Sequence, residues 1–171
     1  MCFEGEYLNG KRNGKGKEYF YNGVLKFEGE YLNGIIWNGN GYNINENIEF
    51  KIENGKGKIK EYYYGGELKF EGEYLNGKSN GIRKEYHING KLRFEGEYLN
   101  GERNGKGKEY YDNGKLGFEG EYLNGERNGK GKEYFYNGEF EYEGEYINGE
   151  KIENKEFNEE EDDLYLEIYQ Y

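Results

Sequence analysis

Five glutamates recur at equivalent positions along this chain of 171 residues, each close to aromatic residues. A carboxylate set among rings can accept a lysine or arginine side chain, with the rings adding cation–π contacts. We therefore predict that the row binds an extended basic segment of a partner protein. In the structural alternative, the carboxylates accept hydrogen bonds from tyrosine hydroxyls or lie at a wet margin. The glutamates are Glu18, Glu61, Glu85, Glu109 and Glu133.

Aromatic residues complete this candidate binding surface. The positions predicted to share the face of the glutamates are Phe94, Phe118, Tyr74, Tyr98 and Tyr122. The single tryptophan, Trp37, lies in the irregular stretch 35–55. An exposed aromatic side chain at a break in a repeat array suits an interaction hot spot. Packing within the array is the alternative for Trp37.

Residue types that carry catalysis are scarce. The sequence has one His, one Cys, one Ser and three Asp, so neither a nucleophile–base pair nor a His/Cys metal cluster can be assembled. The Gly-Lys-Gly tripeptides recur without the helix that follows a phosphate-binding loop. We predict no enzymatic activity, no catalytic residues, no cofactor and no metal.

The charge balance limits the classes of partner that the chain can bind. The net charge is −11, and residues 158–171 hold six acids and no base. An acidic balance disfavours nucleic acid, and it also disfavours electrostatic attachment to anionic membranes. No apolar run approaches the ~20 residues of a membrane span. The repeat begins at once and leaves no room for a signal peptide, so a cytoplasmic location is predicted.

The elements that must position these residues are β-hairpins. Segments such as "FEGEYL" and "KGKEYFY" alternate with period two and are bounded by Asn-Gly, a strong hairpin signal. The stretch "IEFKIENGKG" from Ile48 is a degenerate copy, which brings the count to about seven units. The motif [F/Y]-E-G-E-Y begins at Phe3, Phe27, Phe70, Phe94, Phe118 and Tyr142.

The predicted register follows from two turns. A two-residue type I′ turn at Asn113–Gly114 pairs three sets of residues and places Asp112 opposite Lys115. Those three pairs are Lys106–Glu121, Gly107–Gly120 and Lys108–Glu119. A loop over 125–128 places Glu121 opposite Lys132 and Tyr122 opposite Gly131. Both registers put the five glutamates on the aromatic face and the Lys–Glu pairs on the other, solvated face.

These hairpins predict an all-β fold. We expect an elongated, twisted, single-layer antiparallel meander that grows as a solenoid does, with an aromatic lining on its concave side. The repeat array spans 1–157 with an irregular unit near 35–69. Residues 158–171 form an acidic tail whose segment "LYLEIYQY" is a candidate capping strand.

The pattern aromatic-E-G-E-Y-x-N-G-x-x-N-G-x-G resembles the MORN repeat, "membrane occupation and recognition nexus", over about residues 3–157. Tyr stands where many members have Trp, and the 24-residue period resembles variant MORN repeats of microbial proteins. The resemblance implies a meander of β-hairpins that serves as a scaffold or protein-interaction module. Some members are linked to phosphoinositides.

Three functions are therefore open. The leading prediction is a non-enzymatic scaffold that binds a protein partner through its aromatic and acidic face or its sheet ends. The alternatives are a membrane-associated adaptor that binds phosphoinositide and an antitoxin or immunity-type protein that neutralises a basic partner. Because a meander has two free edges, we also predict a homodimer through the sheet ends, with a monomer capped by the last strand as the alternative.

Overall fold

Two kinds of turn alternate along the chain and set the architecture. In the first kind both central residues have positive φ, as at Asn124 (51°) and Gly125 (92°), which defines a two-residue type I′ turn. Leu123 and Glu126 pair directly across it. Asn tolerates this left-handed backbone and Gly has no Cβ to clash, so the Asn-Gly pair selects a tight, twisted hairpin.

The second kind of turn has three residues, and it corrects the turn predicted at Asn113–Gly114. The N–H of Tyr111 donates to the carbonyl oxygen of Lys115 at 2.9 Å, and the N–H of Gly114 donates to that of Tyr111 at 2.8 Å. The prediction that Asp112 faces Lys115 is therefore wrong, because Lys115 pairs with Tyr111.

Strand pairing beyond this turn agrees with the prediction. A bulge between Glu109 and Tyr110 absorbs the extra loop residue and restores the register. The confirmed pairs are Lys106–Glu121, Gly107–Gly120 and Lys108–Glu119.

The predicted loop over 125–128 is wrong. Because the turn is already complete at Gly125, Lys132 pairs with Glu119, and Gly131 pairs with Gly120. The predicted partners, Glu121 and Tyr122, are each displaced by two residues. Since side chains alternate with period two along a strand, a two-residue error leaves every side chain on its predicted face.

The computed structural model describes residues 2–152. They form one open antiparallel sheet of 14 strands in sequence order, with no helix in this range. The predicted all-β single-layer meander is confirmed. The strands are β1 Cys2–Leu8, β2 Lys11–Tyr19, β3 Leu25–Leu32, β4 Ile35–Tyr42, β5 Ile48–Glu53, β6 Lys56–Tyr62, β7 Leu68–Leu75, β8 Lys78–Tyr86, β9 Leu92–Leu99, β10 Glu102–Tyr110, β11 Leu116–Leu123, β12 Glu126–Tyr134, β13 Phe140–Ile147 and β14 Glu150–Lys151.

Hydrogen bonds join successive turns on the two sides of the sheet where the strands end. On the side with the type I′ turns, the N–H of Gly125 donates to the carbonyl oxygen of Arg103 at 2.9 Å. On the other side, the Tyr111 hydroxyl donates to the carbonyl oxygen of Tyr134 at 2.8 Å. His87, one repeat earlier, places Nε2 2.9 Å from the carbonyl oxygen of Tyr110, so it has the same bracing role.

The irregular unit has shorter strand pairing than the other hairpins of β1–β12. β5 pairs with β6 through only two residue pairs, Ile52–Gly57 and Glu53–Lys56. Its buried residues Ile52, Ile59 and Phe70 form a cluster separate from the aromatic cluster of β9–β13. The sheet therefore has a regular half and an interrupted half.

The paired glycines provide a test of the fold. A Cβ at Gly120 would lie 2.6 Å from Cζ of Phe118 and 2.7 Å from the carbonyl oxygen of Lys130. Since a strand backbone cannot move away without breaking its ladder, we expect Gly120→Ala to lower the free energy of unfolding by about 2–3 kcal/mol. Urea denaturation measures this loss.

The matched control is Gly117→Ala in the same strand. There the nearest atom is the ring carbon Cε2 of Tyr111 at 3.0 Å, which belongs to a side chain that can shift. We expect a loss below about 1 kcal/mol. Equal losses for the two variants would show that close approach at the glycine pair does not limit the sheet.

Candidate functional site

The aromatic face of the regular half is a core built on a single layer. Phe94 and Phe118 are fully buried, and Tyr98, Tyr122 and Tyr146 pack against them. The ring of Phe94 meets Tyr98 and Tyr122 edge-to-face, with centroids 5.8 and 5.5 Å apart. The rings lie over paired glycines whose missing side chains leave room for them, so one sheet can bury its own aromatic residues.

Arginines cover these rings from the solvent side. The guanidinium carbon of Arg103 lies 3.8 Å from the ring centroid of Phe94, and that of Arg127 lies 4.0 Å from Phe118. Arg12 takes the same position over Phe3 at 4.2 Å. A planar guanidinium can stack on a ring and still bond a carboxylate with its edge. Each arginine therefore closes the core and leaves its donors for glutamate.

Ion pairs link these arginines to the predicted glutamates across successive hairpins. Arg103 lies 3.5 Å from Glu85 and 2.6 Å from Glu109. Arg127 lies 2.6 Å from Glu109 and also pairs with Glu133. Lys151 ends the series at 2.6 Å from Glu133. We call this series, Glu85–Arg103–Glu109–Arg127–Glu133–Lys151, the ion ladder.

Tyrosine hydroxyls add to the ladder. Tyr98 donates to Glu85 at 2.6 Å, and Tyr31 donates to Glu18 at 2.9 Å, as the structural alternative predicted. The hydroxyls of Tyr122 and Tyr146 are buried without a well-formed hydrogen bond. Burial, and then the charge of Glu109, raise the pKa of Tyr122. These tyrosines therefore stay neutral beside the carboxylates.

The ladder keeps its carboxylates ionised. Burial opposes the charge of Glu109, but hydrogen bonding and the charge of Arg127, with the charge of Arg103, lower its pKa. Burial likewise opposes the charge of Glu133, and Lys151 and Arg127 lower its pKa. A lowered pKa in the folded state means that this stabilisation is present above the ordinary titration range of glutamate and is lost as the pH falls.

The predicted site residues therefore lie together, although their carboxylates already have partners. Glu18, Glu85, Glu109 and Glu133 are each paired with an arginine of the same chain. Sequence reasoning missed these arginines, because it placed them in loops. The missed signal is an arginine six residues before a glutamate, which recurs as Arg12/Glu18, Arg103/Glu109 and Arg127/Glu133.

Glu61 differs from the other four glutamates. The positions that hold arginine elsewhere, six residues before and 18 residues after the glutamate, hold Gly55 and Ser79 here. Its charged neighbour is Lys26, whose Nζ lies 3.9 Å from the carboxylate. The ion ladder is therefore interrupted at the irregular unit.

Trp37 and Tyr74 lie in the same irregular region. Trp37 is half-buried, and its carbonyl oxygen accepts a hydrogen bond from the N–H of Gly55 at 2.7 Å. A Cβ at Gly55 would lie 2.7 Å from Cζ3 of Trp37, so the indole packs on the next turn. Tyr74 is half-buried beside Phe70, with parallel rings 6.5 Å apart.

The opposite face carries the predicted Lys–Glu pairs. The predicted pair Lys108–Glu119 spans 3.1 Å. Lys132 lies 3.1 Å from Glu143 and not beside its predicted partner Glu121, and all four side chains are at least partly exposed. The hydroxyl of Tyr134, in the neighbouring strand β12, donates to the carboxylate of Glu119 at 3.0 Å. The charge pairs of this solvated face help to align neighbouring strands, but they bury little surface and add little to stability.

Residues 2–152 lack two features that other functions would require. No group of three or more His, Cys, Asp or Glu side chains there is arranged to hold a metal ion. In the same range, no helix is long and apolar enough to span a membrane. The acidic run at 158–163 and the predicted capping strand lie outside the described residues.

Comparison with known families gives matches along most of the array. A model described as the MORN repeat matches residues 3–24, 70–82, 94–115 and 118–140. A model described as a MORN repeat variant matches residues 79–100. Together the two models cover more than half of the chain. No curated protein matches the chain significantly.

The ion ladder makes a testable prediction at Arg127. Arg127→Met keeps an apolar chain over Phe118 but removes the charge between Glu109 and Glu133. We expect a loss of about 2 kcal/mol in the free energy of unfolding at pH 7. At pH 3 we expect a smaller loss, because the stabilisation that accompanies a lowered pKa fades as the pH falls below the ordinary titration range of glutamate. Urea denaturation at the two pH values measures the difference.

Lys132→Met is the matched control on the charged face. Its pair with Glu143 is exposed and screened by solvent, so we expect little or no loss in the free energy of unfolding at pH 7. A cost at Arg127 that equals the control, or that does not change with pH, would show that the ion ladder does not stabilise the sheet.

Proposed function

This chain belongs to the MORN-repeat family, and from that premise we propose that it is a non-enzymatic scaffold that binds a protein partner. MORN repeats are generally protein- or membrane-interaction repeats, and a rigid open sheet is compatible with a scaffold role. We infer a cytoplasmic location from the acidic sequence, which lacks a long apolar run.

One observation carries this proposal: the charged groups of the aromatic face are committed to the ion ladder over β8–β14. Glu85, Glu109 and Glu133 each hold an internal cation and stabilise the sheet. This commitment supports a structural role for the regular half. Recognition is then expected where the pattern breaks, at the irregular unit and at the two sheet ends. Binding of a basic segment by the ladder glutamates stays a prediction, and it would require displacement of internal arginines.

Vesicle binding separates a protein scaffold from a phosphoinositide-binding adaptor. We expect the protein to stay in the supernatant when it is sedimented with phosphatidylcholine vesicles, with or without phosphoinositide. The physical reason is that lysines of the charged face, such as Lys108 and Lys132, are paired with glutamates and the net charge is −11. Co-sedimentation that requires phosphoinositide and vanishes at high salt would contradict the scaffold proposal.

A charge-reversed variant shows that the vesicle assay can detect binding. Glu119→Lys together with Glu143→Lys turns two pairs of the charged face into a basic patch, so this variant should co-sediment. In parallel, a protein captured from native cells must be purified and must bind the wild-type chain in calorimetry. Failure of any purified partner to bind would leave the scaffold proposal without its central requirement.

We also propose that the sheet ends join two copies of the chain. β1 pairs only with β2, and β14 contains only Glu150 and Lys151, so much of the outer edge of β13 lacks a partner strand within residues 2–152. Free edge donors and acceptors favour strand addition. We place the contact at the C-terminal end, where Leu164, Leu166 and Ile168 follow the acidic run.

Light scattering on two chains tests this assembly. We expect the full chain to form a dimer at tens of micromolar, and a chain that ends at Phe157 to be a monomer, because the truncation removes the apolar alternating segment. Two monomers would show that the ends do not assemble. Two dimers would contradict the C-terminal assignment and place the contact at β1.

A further inference from the structure

Two adjoining cavities open on the aromatic face at the irregular unit, and both are lined by Lys26 and Glu61. Their volumes are about 290 and 190 Å³. We call them together the Glu61 cleft. The larger cavity is lined by apolar residues, which include Ile36, Ile52, Phe70 and Tyr74. Its lining also holds Arg12 and Lys60, whose cations are paired with Glu18 and Glu49. The smaller one is lined by aromatic residues at the ends of β2 and β6 and in the turns that follow them, 19–21 and 62–64.

The cleft exists because this unit lacks an arginine side chain that fills the regular repeats. In a regular hairpin, a phenylalanine such as Phe118 pairs with a glutamate and lies under an arginine. Between β4 and β5, Phe50 keeps the phenylalanine position, but its partner is Gly41 in place of a glutamate. The arginine position six residues before Glu61 is Gly55. The missing guanidinium leaves space beside Glu61.

The carboxylate of Glu61 is poorly satisfied in comparison with its counterparts. Glu85 lies within 3.5 Å of three arginines, Arg83, Arg93 and Arg103. The Nζ of Lys26 is 3.9 Å from Glu61, which is beyond hydrogen-bond distance. The Glu61 side chain also keeps 35% of its surface exposed, so a ligand can reach it.

The rest of the sheet shows which chemistry this environment accepts. In the regular hairpins of β1–β2 and β9–β12, the recurring glutamate forms an ion pair with an arginine of the same chain, and that arginine stacks on an aromatic ring. A guanidinium bonds a carboxylate with two parallel donors and is more weakly hydrated than the ammonium of Lys26. An incoming arginine can therefore replace Lys26 at the carboxylate.

We propose that the Glu61 cleft binds an arginine side chain from a basic segment of a protein partner. The guanidinium bonds the carboxylate of Glu61, and its methylene chain lies against the isoleucines of the larger cavity. Neighbouring partner residues contact the exposed rings of Tyr21 and Tyr64 at the mouth of the smaller cavity. This inference rests on the proposed scaffold function and assigns its recognition site.

The test titrates a synthetic peptide into the full, ¹⁵N-labelled chain and follows amide shifts by NMR. The peptide carries one arginine among small apolar residues, and the reference peptide carries uncharged citrulline in its place. We expect saturable shifts at amides of β3–β7 with the arginine peptide only. Shifts that saturate equally with citrulline, or that lie in β9–β13, would overturn the proposal.

Three variants sharpen the test. Glu61→Gln keeps shape but removes the charge, so we expect affinity to fall at least about tenfold. Lys26→Met removes the competing cation, so we expect affinity to rise. Glu73→Gln is the control, because its pair with Lys58 also spans 3.9 Å but lies on the charged face, and we expect unchanged affinity. Thermal unfolding of each variant checks that the sheet is intact.

The outcomes separate this inference from the proposed function. If Lys26→Met weakens binding, or if Glu61→Gln leaves it unchanged, the cleft does not hold an arginine. If a purified partner binds wild type and Glu61→Gln equally, the scaffold proposal stands and the cleft assignment fails. Cleft shifts that depend on protein concentration without peptide would assign the site to a second copy of the chain and would also overturn it.

Discussion

The structure depends on one constraint: a single-layer sheet has no second layer to cover its apolar face. Large rings on such a face stay wet unless the sheet itself makes room for them. Paired glycines such as Gly107 and Gly120 provide that room, because the rings of Phe94 and Phe118 lie over backbone that carries no side chains. Aromatic residues suit this arrangement, since each ring buries a large apolar area.

The same constraint explains the charges. A ring packed on a single layer would expose its outer surface, and the arginines of the regular repeats cover that surface. A guanidinium so close to apolar surface needs a carboxylate, which the recurring glutamates supply. Because Arg103 and Arg127 each bond glutamates of two hairpins, the ladder couples neighbouring repeats. Turn-to-turn hydrogen bonds add to this coupling at both edges.

The irregular unit is informative because it breaks these rules without breaking the sheet. The β5–β6 hairpin has Gly55 at the arginine position of a regular hairpin, and isoleucines such as Ile36 and Ile52 pack with Phe50 in this region. The isoleucines do not fill all of the volume, so a cavity with Glu61 in its wall remains. In a protein made of near-identical repeats, such a break is where one surface differs from all others.

The sequence by itself determined the hairpins, their antiparallel order and the face on which each side chain lies. These properties follow from local turn chemistry and from the period of two, which a two-residue error at Gly125 left unchanged. Sequence reasoning could not determine the turn types, because "NG" occurs at both edges and only the backbone angles separate Asn113 from Asn124. It also could not find the partners of the glutamates. Arg127 bonds Glu109 from 18 residues away, and Lys26 approaches Glu61 from three strands away, because curvature and stacking bring those side chains together. Alternation fixes a face, but only the tertiary structure decides which charges meet on it and where a space is left.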